Sequence, residues 1–454
     1  MSSKLKITMQ LAEAAKAIAG KLIGDDLEFV GVSTDTRTIQ TGELFVALRG
    51  PNFDGHEYAQ QAIASGAVAV MADHEMPLSV PVVVVDDTRI GLGKLANTWR
   101  NEFSIPVIGV TGSNGKTTVK EMLASIFSML GEVHATKGNL NNDIGVPLTL
   151  FELGQQHKTA VIEMGANHQN EIAYLTEVAQ PDVTVITCAA AAHLEGFGSL
   201  EGVAHAKGEI YQGLSDKGIA VINADDTFAP LWREFVGARQ KIEFGLDGQR
   251  DVTATYKPTA AGNQLSVTTP KGEIEINLPL YGRHNVMNAL AATSVATVLN
   301  VSLENIKSGL EKMQSVPGRL QIKLGINKSR LIDDTYNANP SSVTAALDVL
   351  GDFDGQHFMA LGDMGELGSD EQELHRKVGE QARAKGVNKL YTIGKLAEHA
   401  AKEFGDFGYS FDAHASMIEA ISKDLNKDST LLVKGSRRSH MERVVEALTI
   451  EERV

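Results

Sequence analysis

One segment limits the fold more than any other: Val107-Ile-Gly-Val-Thr111-Gly112-Ser113-Asn114-Gly115-Lys116-Thr117-Thr118. An apolar run of strand length enters a glycine turn and leaves as a helix, the unit from which parallel α/β sheets are built. Glycines let phosphate approach the backbone, the helix N-terminus adds positive potential, and Lys116 supplies a cation for outer phosphate oxygens. Thr117 offers a hydroxyl where a P-loop places its Mg²⁺ ligand. The strict GxxxxGK[ST] spacing is not met, because Val110 stands at its first glycine; the shorter form TGxxGK[ST] is. A strand before it and a helix after it distinguish a phosphate site from a chance Gly-Lys-Thr turn.

The same alternation extends along the chain. Strand patterns at Ala160–Glu163, Val183–Cys188 and Ile219–Asn223 are separated by helix patterns at Glu171–Ala179 and Glu201–Leu214. A β-rich stretch over 251–280 and a helix over 285–299 follow. At 454 residues the chain is too long for one core. The expectation is an α/β protein of three domains. A small N-terminal α/β substrate domain spans 1–104, and a central P-loop parallel-sheet ATPase domain spans 105–316. A C-terminal Rossmann-like α/β domain spans 317–454. Within the first, a helix is expected over 8–19 and another over 56–64.

Composition excludes several classes. The net charge is −15 and the one short basic cluster is Lys434-Gly-Ser-Arg437-Arg438, so a nucleic-acid binder is not indicated. No stretch reaches the roughly 20 apolar residues of a membrane span. The first residues lack a signal-peptide pattern, and the single cysteine, Cys188, excludes an internal disulfide framework. A cytoplasmic monomer is the expectation.

Ligands of open parallel sheets sit beyond the carboxyl ends of the strands. Glu163 ends such a strand, although alone it also reads as a solvated strand-end acid. His193 follows the next strand in a glycine-rich loop. Lys207 reads as a helix lysine. Asn285 and Asn288 share one helix face, suited either to a base edge or to a cap and a surface position. Asp333-Asp334 close another strand pattern at a turn.

Together these segments resemble the Mur ligase family. The resemblance covers essentially the whole chain, from Ser33-Thr-Asp35-Thr36-Arg37 to Lys434-Gly-Ser436-Arg437. It rests on the phosphate loop, Glu163, His193, Asn285, Arg319 and Asp334. It rests also on Gly138-Asn-Leu-Asn141-Asn142, Gly165-Ala-Asn-His168, Tyr336-Asn337-Ala-Asn-Pro340 and Leu361-Gly-Asp363-Met-Gly-Glu366. One departure is the run Cys188 to Ala192, where family members often carry proline and asparagine.

The resemblance implies an ATP-dependent ligase that joins a carboxylate to an amine through an acyl phosphate. Its implied substrates are UDP-N-acetylmuramoyl-tripeptide and D-alanyl-D-alanine, with ATP and Mg²⁺. Residues 111–118 with Asn285, Asn288, Arg319 and Asp334 would hold the nucleotide. Lys116, Glu163, His193 and Lys207 would be catalytic, Lys207 as a carbamate. Thr117, Glu163 and His193 would ligate metal. Asp35, Thr36, Arg37, Asn141, Asn142, Asn337, Ser436 and Arg437 would bind substrate. A nucleotide switch without ligase chemistry would need only the phosphate loop, and a small-molecule kinase would stop at the phosphorylated product. A sister ligase of the family or a folylpolyglutamate-type ligase would use a different amine.

Overall fold

The computed structural model describes residues 7–191 and 194–450. Its elements gather into three main sheets. The central one has six parallel strands in the order Glu132–Ala135, His157–Glu163, Val107–Thr111, Val183–Ile186, Ile219–Asn223, Gln240–Phe244. Val107–Thr111 is buried at every residue, which is why it reads as an unbroken apolar run. Its side chains alternate between two cores. Val107 packs with Ile172, Ile210 and Trp232 on one face, and Ile108 and Val110 pack with Val119, Val286 and Leu290 on the other. Helices Glu171–Ala179, Leu200–Gln212 and Ala229–Val236 cover the first face; Lys116–Ser128 and Arg283–Val298 cover the second. The β-rich stretch forms an antiparallel sheet of Thr253–Thr259, Gly262–Thr269 and Gly272–Leu278.

The N-terminal sheet runs Lys21–Ile23, Val82–Val84, Ala69–Ala72, Leu44–Val46, Val32–Ser33, with only the first strand antiparallel. Two expectations need correction here. The helix begins at Leu11, not Thr8, because Thr8–Gln10 is a strand paired antiparallel to Glu28–Val30. Its burial alternates, with Met9 inside and Thr8 and Gln10 outside. The second helix is split into a 3₁₀ turn, Gly55–Tyr58, and the α-helix Ala59–Ala64.

The C-terminal sheet has the order Gln321–Leu324, Arg330–Asp334, Ser429–Lys434, Gln356–Gly362, Lys389–Ile393, Gly408–Phe411, and only its first strand is antiparallel.

The seams between these units differ. Helix Thr88–Arg100 packs on Gly145–Phe151 and Glu171–Ala179, and one apolar cluster runs without a break from Ile7 and Leu95 to Trp232. Trp99 Nε1 donates to Leu153 O at 3.2 Å, and Arg100 Nε to Ala179 O at 3.0 Å. The clusters under the C-terminal sheet contain no buried residue of the central one. Among the described residues, no helix is long and apolar enough to cross a membrane.

Candidate active site

The carboxyl ends of the central and C-terminal sheets face each other across a cavity of about 1270 Å³. Pockets for a single drug-sized ligand measure roughly 300–1,000 Å³, so the space suits more than one reactant. Its wall takes Arg89 from the N-terminal unit, the phosphate loop and Glu163 from the centre, and Asp334, Asn337 and Lys434 from the C-terminal sheet.

The phosphate loop is built as its glycines require. Gly115 caps helix Lys116–Ser128 at φ 80°, and Gly112 has φ 143°, both left-handed backbone that side chains resist. A Cβ on Gly112 would collide with Thr187 Oγ1. The loop is pinned to the next strand end, where Ser113 N donates to Cys188 O at 2.9 Å and Thr187 Oγ1 to Asn114 O at 2.5 Å. Thr111 Oγ1 donates to Met164 O at 2.7 Å beneath it, and Thr118 is buried in the first helical turn. Lys116 folds back over the loop, its Nζ donating to Gly112 O at 2.7 Å. Burial pushes its pKa down, and the neighbouring Glu163 opposes that shift.

Glu163 stands level with Val110 in the parallel register, so strand pairing itself carries the carboxylate to the loop. Its Oε1 accepts from Asn141 Nδ2 at 2.8 Å. Its Oε2 is buried without a hydrogen-bond partner. A desolvated acceptor oxygen is costly unless a cation completes it, and hard divalent cations take oxygen ligands of this kind. Lys207 is 1% exposed, with Nζ 3.4 Å from Ala166 O and 5.2 Å from the Phe197 ring centre. Burial, with the Lys116 charge adding to it, brings its pKa down to about 7. His193 lies outside the described residues.

Asn285 and Asn288 touch as their spacing requires, Asn288 Nδ2 donating to Asn285 Oδ1 at 3.0 Å, and both are buried on the cavity wall. Asn285 Nδ2 donates to Tyr281 O at 2.9 Å. Beside them, burial brings the His284 pKa down to about 4, leaving a neutral ring at the wall.

From the C-terminal side, Arg319 Nη2 donates to Thr117 Oγ1 at 3.3 Å, while its guanidinium stacks 4.2 Å from the Tyr336 ring centre. Asp334 Oδ2 accepts from Lys434 Nζ at 2.5 Å, and Lys434 also donates to Asn337 O at 2.8 Å. Ser436, Arg437 and Asn337 line the cavity, as do Asn141 and Asn142.

Asp35, Thr36 and Arg37 are not on this wall. Asp35 and Arg37 form their own ion pair at 2.6 Å, and the guanidinium holds the Asp35 carboxyl well below its usual range. Sequence reasoning missed Lys434, noticed only within a basic cluster. It ends a parallel strand level with Asp334, so the rule that singled out Glu163 would have found it.

Three family models match the chain: "Mur ligase family, catalytic domain" over 28–100, "Mur ligase middle domain" over 110–296 and "Mur ligase, glutamate ligase domain" over 318–437. The UDP-N-acetylmuramoyl-tripeptide–D-alanyl-D-alanine ligase of Escherichia coli K12 is 43% identical over 97% of this chain and 98% of its own. The protein of the same name from Bacillus subtilis 168 is 34% identical over 92% and 93%. Among solved structures, MurF from Acinetobacter baumannii superposes with a TM-score of 0.93 at 36% identity, covering 97% of this chain and 99% of that one. MurF from Thermotoga maritima in complex with ADP gives 0.82 at 28% identity, covering 92% and 96%. Fold and site together define an ATP-dependent amide ligase. The chain belongs to the Mur ligase family.

Proposed function

We propose that this ligase joins D-alanyl-D-alanine to UDP-N-acetylmuramoyl-tripeptide, giving the UDP-linked pentapeptide used to build peptidoglycan. The observation that carries the reading is the meeting of the phosphate loop, Glu163 and the Arg319–Asp334–Lys434 group in one cavity. The names of relatives matched over nearly their full length supply the substrates.

The tripeptide carboxylate attacks the γ-phosphorus of ATP, and the bond to the bridging oxygen breaks with release of ADP. The dipeptide amine then attacks the acyl-phosphate carbonyl, phosphate leaves with the C–O electron pair, and the amine proton passes to solvent. Carboxylate and triphosphate repel each other, so cations and positioning do most of the catalytic work.

Lys116 holds the β- and γ-phosphates, with the backbone N–H groups of the loop around it. Thr117, Glu163 and His193 would hold Mg²⁺. When bound, Mg²⁺ would supply positive charge against which carboxylate and phosphate can meet. Lys207, whose neutral form is accessible near pH 7, adds its amine lone pair to carbon dioxide and gives one proton to solvent, so that a carbamate anion replaces a repelling cation. Asn285 and Asn288 face the adenine end, and Arg319 and Asp334 cover the nucleotide. Asn141 and Asn142 border the peptide, and Asn337, Ser436 and Arg437 border the incoming dipeptide. The uridine diphosphate end is left to the N-terminal unit. Because ATP and a nucleotide-linked precursor are its reactants, the protein works in the cytoplasm, as a monomer.

The test is phosphate release from ATP and Mg²⁺ with UDP-N-acetylmuramoyl-tripeptide, with and without D-alanyl-D-alanine. Release that needs the dipeptide, with a product heavier by one dipeptide less water, supports the reading. Release with another amine alone moves the protein to a sister activity.

A further inference from the structure

The side chain of Asn114 lies in the middle of the phosphate loop, yet both its polar atoms bond to the C-terminal unit. Asn114 Nδ2 donates to Ser341 Oγ at 2.9 Å, and Asn339 Nδ2 donates to Asn114 Oδ1 at 2.9 Å. Ser341 Oγ in turn donates to Asn339 Oδ1 at 2.9 Å. The three side chains form a closed ring in which every donor meets an acceptor, running in one sense, the arrangement in which hydrogen bonds reinforce one another.

The orientation of Asn339 is not free. It caps helix Pro340–Gly351, its Oδ1 accepting from Ser342 N at 2.9 Å while its own N–H donates to Ser342 Oγ at 3.0 Å. With the carbonyl oxygen committed to the cap, the amide nitrogen must face outward, toward Asn114. On the other side, Thr187 Oγ1 holds the Asn114 carbonyl, so the loop presents its side chain to the C-terminal unit from a fixed backbone.

We infer that this ring is the latch that holds the C-terminal domain over the phosphate loop, and that Asn114 and Ser341 are positioning residues for phosphoryl transfer. The inference rests on the ligase reading above. With the ring closed, Arg319 Nη2 lies 3.3 Å from Thr117 Oγ1, and Asp334 and Lys434 line the cavity. The buried apolar clusters of the two units are separate, with Tyr281 against Phe353 at 5.6 Å an apolar contact across the seam, so polar contacts of this kind carry much of the docking. Water can replace such bonds at little net cost, which makes the latch reversible within a catalytic cycle.

Two variants of the full chain test it. Ser341→Ala removes one ring member and leaves the Asn339–Ser342 cap intact. Asn339→Asp keeps an acceptor for the cap but places a second acceptor opposite Asn114 Oδ1. With Mg²⁺ and a non-hydrolysable ATP analogue, both should show a larger radius of gyration in solution scattering than the parent chain. Dipeptide-dependent kcat should fall about ten-fold, the loss of one to two hydrogen bonds, while analogue affinity changes less than about three-fold. Parental kcat and parental radius in both variants would overturn the latch. So would a loss confined to Asn339→Asp that tracks a lower melting temperature, because that marks a weakened helix cap. If the parent chain itself shows no dipeptide-dependent phosphate release, the ligase reading fails, and the scattering comparison still decides whether the ring holds the domains together.

Discussion

The Asn288 carboxamide crowds the space that a Cβ on Gly115 would need, its Oδ1 lying 2.4 Å from where that atom would stand. The helix Arg283–Val298 therefore presses directly against the turn of the phosphate loop, and Gly115 has φ 80° besides. Gly115→Ala meets both obstacles at once. Left-handed backbone alone costs a side chain roughly 1–2 kcal/mol, and the overlap adds to it. We expect ATP affinity to fall by at least about ten-fold, equivalent to some 1.4 kcal/mol. Titration calorimetry with an ATP analogue measures this, and parental affinity would show that the helix yields.

Glu163 should separate stability from turnover. Its unpartnered Oε2 is a liability in the empty site and an asset once a cation binds. Glu163→Gln is expected to leave the melting temperature unchanged or raised, because a buried charge is removed. Turnover at saturating ATP should drop by about a hundred-fold or more, as when a charge-stabilising group is lost. A variant with parental kcat across a Mg²⁺ titration would remove Glu163 from the metal site.

Lys207 gives the protein a pH signature. Its pKa is about 7 in the folded chain and near the ordinary lysine value of 10.5 once unfolded, so between those values the unfolded state binds more protons. Stability therefore rises with pH across that window, and the penalty of a buried cation is fully present below pH 7. Lys207→Met should be more stable than the parent near neutrality and should lose this slope. Urea melts at pH 7 and pH 9 test the sign, and a parental slope in the variant would assign the effect elsewhere. If the carbamate forms, turnover of the parent should also depend on added bicarbonate.

Lys434 and Asp334 are a buried pair, 2% and 9% exposed. Lys434→Met leaves the Asp334 carboxylate without its cation, and breaking a buried pair in this way costs about 3–5 kcal/mol. Double replacement with Asp334→Asn should recover part of that loss. Urea unfolding of both variants and of the double variant completes the cycle, and additive losses would mean that the two groups act independently.

What the residues disclosed on their own follows from how each signal is encoded. Glu163 and the phosphate loop were legible because a parallel sheet converts chain position into spatial position: both lie at carboxyl ends of neighbouring strands. The interior strands were legible as apolar runs. Edge strands Glu132–Ala135 and Gln240–Phe244 were not, because exposed Glu132, Gln240 and Lys241 break the apolar run. The strand Thr8–Gln10 was absorbed into a helix because three residues carry too little alternation to compete with the helical pattern that follows. The Asn114–Asn339 contact spans 225 positions and joins two amides that local pattern reads as turn residues. Nothing local encodes such a pairing.

The unequal seams have a mechanical consequence. Separating the N-terminal sheet from the central one would split the apolar cluster in which Leu95 and Ala96 lie with Leu150 and Leu175, whereas lifting the C-terminal sheet away breaks the polar bonds of Asn114 and Arg319 and the contact of Tyr281 with Phe353. Two units thus share one core, and the third is joined to them across a separate seam. Arg319 lies at the joint between them, so a rotation there would open the cavity to ATP and release ADP and phosphate while the N-terminal unit stays in place.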